Sequence, residues 1–326
     1  MAILSNVIIV GATSSIGIPV LTALLSNPSF SVTILARPNS GILNNPPSGA
    51  KIAIAPSDDH SALVSAMKGA DALVITISVT ALDQQSMFIN AAAEAGVKRI
   101  IPSEFGADLD NPKTAALSGF AVKLEVRKQL ELLADEGRIT WSAVSNGAFL
   151  DWSLKAGLIG FNIKENKATL FDGGDRPFSA TLLSDVAKAV VGILKHPDET
   201  KNRLVYVHSA RLTQKQLVAA YDKIRGTKLE TTVVDAEEVA KAGTEKFAKG
   251  DFSGFVDQFL IVGPSEARWR SGAGTAVDAP LPGQFYLEIS CPNSHPAGVP
   301  FAGFFDHHPA RCGSQNPPCW FRAPEV

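Results

Sequence analysis

The first 290 residues contain no cysteine. Cys291, Cys312 and Cys319 all fall in the last 36 positions, and an odd number at one end builds no disulfide framework. Tyrosine is as scarce: Tyr206, Tyr221 and Tyr286 are the whole complement of 326 residues. No Asp or Glu occurs from Met1 to Ser57, and no Lys after Lys249. No run of 18 apolar residues exists, which excludes a spanning helix by sequence. The apolar start Val7–Val10 has no basic segment before it and runs into a glycine turn, so it does not read as a secretion signal. Neither charge sign dominates: 30 Lys and Arg face 32 Asp and Glu, with a pI near 6.3. That balance speaks against a nucleic-acid partner. What is present is ample apolar material, 45% against 19% charged, enough for a sizeable core. The expectation is a cytoplasmic protein with a small-molecule partner, no nucleic acid, no membrane, and homodimerisation left open.

Strand and helix patterns alternate up to about residue 262. Ile3–Val10, apolar except at Ser5 and Asn6, reads as a strand buried on both faces. Further strands are expected at 31–36, 51–55, 72–77, 97–101 and 139–144. Helices are expected at 16–25, 58–67, 84–95 and 117–136. Repeated β-α-β units with short links predict a doubly wound parallel sheet covered by helices, the NAD(P)-binding Rossmann arrangement. Shorter strands at 168–171, 178–181, 204–208 and 229–234, with helices from 184, 213 and 236, read as a small α/β substrate domain. The domain expectation is 1–147, 148–262, and an irregular, poorly ordered tail at 263–326. That tail holds ten of the 20 prolines and every cysteine. Only Gln284–Ile289 within it carries a periodic apolar run.

The first strand leads into Gly11-Ala12-Thr13-Ser14-Ser15-Ile16-Gly17 and then a helix. A glycine turn there lets main-chain amides and the helix N-terminus approach a pyrophosphate. An NAD-selective site places an acid near the end of the second strand. Here that position holds Arg37, 20 residues after Gly17, with no acid before Asp58. A guanidinium matches a 2′-phosphate, so the cofactor expected is NADP(H). Asp58 is a candidate for the adenine edge, and Ser78, after the fourth strand, for a further cofactor contact.

Many folds of this kind use a Tyr-x-x-x-Lys pair. With no tyrosine before Tyr206, none can be written in the nucleotide-binding half. Lys123 is the best remaining acid–base candidate, one helical turn before Arg127. Arg127 could supply a cation that lowers the lysine pKa, or hold an anionic substrate group. On spacing alone, a solvated helix face is the better explanation of such a lysine.

Gly11–Gly17, Arg37, Pro102-Ser103-Glu104-Phe105-Gly106 and Lys123-x-x-x-Arg127 together resemble the NmrA-like, isoflavone-reductase-like family of atypical short-chain dehydrogenase/reductases. The resemblance covers about residues 3–260, and Asn146–Trp152 looks like the fungal branch. It implies NADPH-dependent reduction of an aromatic or conjugated secondary metabolite. It further implies Lys123 as general acid/base and a substrate-side position for Arg127. Phe149 and Trp152 are candidate substrate contacts. The alternative class within the same family is a non-catalytic NADP(H)-sensing regulator. Ser14 departs from the family's middle glycine, and no lysine follows Arg37 before Lys51. His307, His308, Cys312 and Cys319 match no metal-ligand spacing, so no metal is expected.

Overall fold

The computed structural model describes residues 2–251, 253, 254, 257 and 258, and a strand at 285–286. In chain order the regular elements begin with β1 (Asn6–Val10), α1 (Gly17–Leu25), β2 (Ser31–Ala36), β3 (Lys51–Ile54), α2 (His60–Met67) and β4 (Ala72–Ile75). Then come α3 (Gln85–Glu94), β5 (Arg99–Ile101), α4 (Pro112–Ala115), α5 (Ala121–Asp135) and β6 (Thr140–Ser145). The later part holds β7 (Ala148–Phe149), α6 (Leu150–Ala156), β8 (Phe161–Asn162), β9 (Lys167–Phe171), β10 (Phe178–Thr181) and α7 (Leu183–Lys195). It continues with β11 (Arg203–Tyr206), β12 (Ala210–Leu212), α8 (Gln214–Arg225), β13 (Glu230–Val234), α9 (Ala236–Ala248) and β14 (Phe285–Tyr286).

The chain divides into two compact units. Among the described residues, the first comprises 2–147, 183–207 and 285–286, and the second 148–182, 208–251, 253, 254, 257 and 258. In the first unit the strands run β14-β11-β6-β5-β4-β1-β2-β3, and every neighbouring pair is parallel. The strand order reverses between β1 and β4. From there α1 leads outward to β2, while α3 and α5 lead outward the other way. Right-handed crossovers therefore put these helices on opposite faces. The doubly wound parallel sheet expected from the sequence is the observed one.

Local chemistry sets the element ends. Gly96, at φ 81°, closes α3: its N–H donates to Ala93, and the Val97 N–H to Ala92. Gly137, at φ 70°, closes α5 in the same way through Ala134 and Leu133. In both, a left-handed residue turns the chain back so that otherwise unpaired carbonyls accept a bond. Two expectations shift. The first strand begins at Asn6 rather than Ile3, because the Leu4 N–H bonds to the Leu194 carbonyl at the end of α7. The helix expected over 117–136 begins at Ala121, because Leu117 is extended and 118–120 form a tighter turn.

A larger difference concerns β11 and α7. The sequence reading put both in the small domain. In the structure β11 pairs with β6 and α7 packs on α1, so both belong to the first unit. Strand patterning reports an apolar run, not which sheet edge receives it. The same unit contains Arg99, 1% exposed, whose guanidinium donates to Thr140, Ser142 and Thr200 hydroxyls and to the Pro197 carbonyl. Burial lowers its pKa to about 10, against the pull of Asp198.

The second unit carries two three-stranded sheets, β12-β10-β7 and β13-β9-β8. Its core gathers Leu150, Phe161, Phe178, Leu212 and Tyr221. Gln214, fully buried, ties it together by donating to the Ile159 and Thr169 carbonyls and accepting from the Phe171 N–H. The tail expectation lies outside the described residues except at β14, where Phe285–Tyr286 falls inside the apolar run 284–289. Among the described residues, no helix is long and apolar enough to cross a membrane.

Candidate active site

A cavity of about 280 Å3 opens at the carboxyl ends of β1, β2, β3 and β4, where the strand order reverses. Open α/β sheets bind ligands at that crevice because loops diverge there and leave main chain accessible. Gly11, Ala12, Thr13 and Ser14 line it, with Arg37 and Ser40 after β2, Ala55 and Ser57 after β3, and Ile77 and Ser78 after β4. Among the described residues lining it there is no carboxylate, and Arg37 is the one cation.

Two glycines make the approach to main chain feasible. Gly11 has φ +79°, and a Cβ there would lie 2.7 Å from the Thr76 carbonyl carbon. A Cβ on Gly17 would lie 2.2 Å from the Gly11 carbonyl oxygen. Ser14, in the middle of the turn, contributes through its hydroxyl, which accepts from the Gly17 N–H at 2.8 Å. The Ser14 N–H in turn donates to Gly11 at 3.0 Å, closing the turn.

Of the other expected cofactor residues, Ser15 is exposed, and Ile16 and Gly17 are buried behind the turn. Asp58 is exposed and does not line the cavity, whereas its neighbour Ser57 does. Ser78 lines it and shares a hydrogen bond with Thr80 at 2.8 Å. Ser40 and Ser57 were missed. A serine in a loop carries no periodic signal, and only the position just after a strand end could have marked them.

The second part of the site is a polar network in the same unit. Lys123, early on α5 and half-buried, donates from Nζ to the Glu104 carbonyl at 2.7 Å and the Phe105 carbonyl at 3.3 Å. Burial lowers its pKa to about 8, and the Glu104 carboxylate opposes that shift. The Glu104 side chain is 2% exposed and is gripped by Arg127 through Nε at 3.1 Å and through Nη2. Burial pushes the Glu104 carboxyl above the ordinary carboxylate range, against the pull of Arg127 and Lys123.

Arg127 is buried, donates to Asp110 at 3.2 Å, and stacks on Trp141 with its guanidinium carbon 4.7 Å from the ring centre. Burial opposes its charge, and Glu104 and Asp110 more than restore it. Its expected role therefore changes. The guanidinium expected to hold a substrate anion is already taken by two carboxylates and a ring face. The lysine shift comes from burial rather than from Arg127. Nearby, Asp108 accepts from the Tyr206 hydroxyl at 3.2 Å, and burial raises its pKa.

Glu104 was visible in the sequence as part of Pro102–Gly106, but its buried pairing was not. A glutamate inside an apolar stretch, 23 positions from an arginine on the next long helix, was the only signal. In the second unit Phe149 and Trp152 are both half-buried and meet edge to face, with centroids 6.4 Å apart. Among the described residues no cluster of His, Cys, Asp or Glu could hold a metal, and His307, His308, Cys312 and Cys319 lie outside them.

Residues 4–249 match the NmrA-like family. The chain belongs to that family. It is 34% identical over 254 residues to the oxidoreductase aprR of Aspergillus flavus, covering 76% of this chain and 84% of the relative. It is 31% identical over 257 residues to phenylcoumaran benzylic ether reductase PT1 of Pinus taeda, covering 73% and 80%. The solved structure of AtPrR2 with NADP+ and (+)-pinoresinol superposes with a TM-score of 0.66 at 25% identity, covering 80% of this chain and 88% of that one. This NmrA-like chain is an oxidoreductase of the isoflavone-reductase-like group.

Proposed function

We propose that this oxidoreductase is an NADPH-dependent reductase of a small aromatic or conjugated secondary metabolite, with Lys123 exchanging the proton. The observation that carries the reading is the pairing of two features in one unit. One is a cavity whose described lining residues include Arg37 and no carboxylate. The other is a lysine whose pKa is lowered toward neutrality.

The cavity fits the dinucleotide on the chain's own terms. Gly11 and Gly17 leave main chain where any side chain would collide, so backbone N–H groups can meet a pyrophosphate. Arg37 supplies the paired donors that a 2′-phosphate takes, and no acid among the described lining residues repels it. The nicotinamide, when bound, supplies hydride to an electrophilic carbon. Lys123 gives a proton to, or takes one from, the phenolic or enolic oxygen conjugated with that carbon. A group with a pKa of about 8 can do either near neutral pH. The relatives named for reduction of phenylcoumaran benzylic ethers, and the one solved with pinoresinol, support an aromatic substrate class.

The test is a panel of phenylpropanoid dimers, isoflavones and fungal conjugated aromatics, monitored by loss of NADPH absorbance and by product mass. A compound gaining two hydrogens per NADPH consumed supports the reading. Tight NADPH binding with no reduction across the panel counts against it.

A further inference from the structure

The hydrogen-bond acceptors that face Lys123 are two consecutive peptide carbonyls, those of Glu104 and Phe105, and the Phe120 ring centre lies 5.9 Å from Nζ. This arrangement has a chemical consequence. A protonated lysine has three N–H donors and a neutral one has two, plus a lone pair. Two carbonyls accept two N–H groups in either state. They can only accept, so the lone pair cannot turn toward them. One position on the nitrogen remains, an N–H when charged and a lone pair when neutral. The amine is thereby limited to one direction of proton exchange.

The segment that supplies these carbonyls is tied down on three sides. Before it, Ser103 donates its N–H to Gln85 at 2.7 Å and its hydroxyl to the Ile77 carbonyl at 2.9 Å. After it, the Gly106 carbonyl accepts from the Asn146 and Gly147 N–H groups at 3.0 and 2.9 Å. Between these, the Glu104 side chain is gripped by the Arg127 fork, and Arg127 is itself held by Asp110 and Trp141. Gly106 adds a requirement of its own. It sits at φ +137°, and a Cβ there would lie 3.9 Å from Lys123 Nζ.

We propose that Arg127 is a positioning residue that acts on Lys123 through Glu104, holding the two-carbonyl cradle that aims the single free position of the amine. The proposal rests on the reading of Lys123 as the proton-transfer group and deepens it. Arg127 and Lys123 lie four residues apart on α5, so the simpler picture is direct repulsion between the two cations. The contacts argue otherwise. The Arg127 charge is matched by Glu104 and Asp110. The charged group bearing on Lys123 is Glu104, and Asp108 with Tyr206 lies beyond Asp110 in the same network.

The test uses full-length protein carrying 13C-labelled lysine, with the Lys123 signal assigned by its loss in Lys123→Ala. Arg127→Lys keeps the charge but cannot make the forked grip. In the wild type the two Hε protons of Lys123 should be inequivalent, the signature of an immobilised amine. In Arg127→Lys they should merge, and the titration midpoint should rise by about one unit or more as the amine escapes into water. If Arg127→Lys does not fold, Glu104→Gln with Arg127→Met removes the buried pair together, an exchange that stability often tolerates. The Hε inequivalence should be lost there as well. Persistence of both the inequivalence and the midpoint in Arg127→Lys, or of the inequivalence in the double variant, overturns the proposal. These readouts need no substrate. A cradle that behaves as described in a protein where Lys123→Ala keeps full turnover would sink the catalytic reading and leave the cradle standing.

Discussion

Lys123 places its ammonium 2.7 Å from the carbonyl oxygen of Glu104, while the carboxylate of that same residue is committed to Arg127. One residue thus offers the lysine a dipole and withholds its full charge from direct contact. The ammonium is left under-compensated in a half-buried position, which is why burial outweighs Glu104 in setting its pKa.

That arrangement costs stability. The lysine holds its proton up to 10.5 when unperturbed but only to about 8 in the fold. Between those values the unfolded chain binds more protons, so stability from this group rises with pH through that window and is missing below it. Lys123→Met should therefore be more stable than the wild type at pH 7, by about 1–3 kcal/mol, with the gap closing above about pH 10. Urea melts at pH 7 and pH 10 check this. A variant less stable than the wild type at pH 7 would contradict it.

Cofactor choice follows from Arg37 and the absence of an acid among the described residues that line the cavity. NADPH should bind more tightly than NADH by roughly 10- to 150-fold, the worth of a charge-assisted phosphate contact of about 1.5–3 kcal/mol. Arg37→Ala should remove most of that difference and leave NADH affinity nearly unchanged. Calorimetric titration with both cofactors reads it directly, and equal affinities in the wild type would refute it.

Steric room sorts the glycines. Gly17→Ala would drive a methyl group to 2.2 Å from the Gly11 oxygen, so the turn must open. It should lower NADPH affinity by at least about tenfold and destabilise the fold by about 1–3 kcal/mol. Gly41→Ala meets nothing within 4 Å and serves as the neutral comparison. Similar melting temperatures and affinities for the two variants would show that the turn yields more easily than its contacts imply.

Much of the first unit was legible because its signals are local. Val7–Val10 is apolar throughout and buried, Gly96 and Gly137 mark helix ends, and Gly11 with Gly17 marks the turn. What escaped was non-local. The run at 204–208 reads as a strand, yet nothing in it says that its partner is β6 rather than a strand of the small domain. Lys123 and Arg127 stand out in the sequence through the family resemblance, but the pairing of Arg127 with Glu104, Asp110 and Trp141 shows only in the structure. Burial and pairing of charges are properties of the packed structure. A sequence shows the charges and hides the dielectric.

As a proton-transfer group, Lys123 should serve reduction and not cofactor binding. The most direct measurement compares wild type and Lys123→Ala for NADPH affinity by titration and for single-turnover NADPH oxidation with the best compound from the panel. The account predicts NADPH affinity within about twofold and a turnover loss of about 10²–10⁴-fold. Full turnover in Lys123→Ala, or a loss explained wholly by weaker NADPH binding, would contradict it.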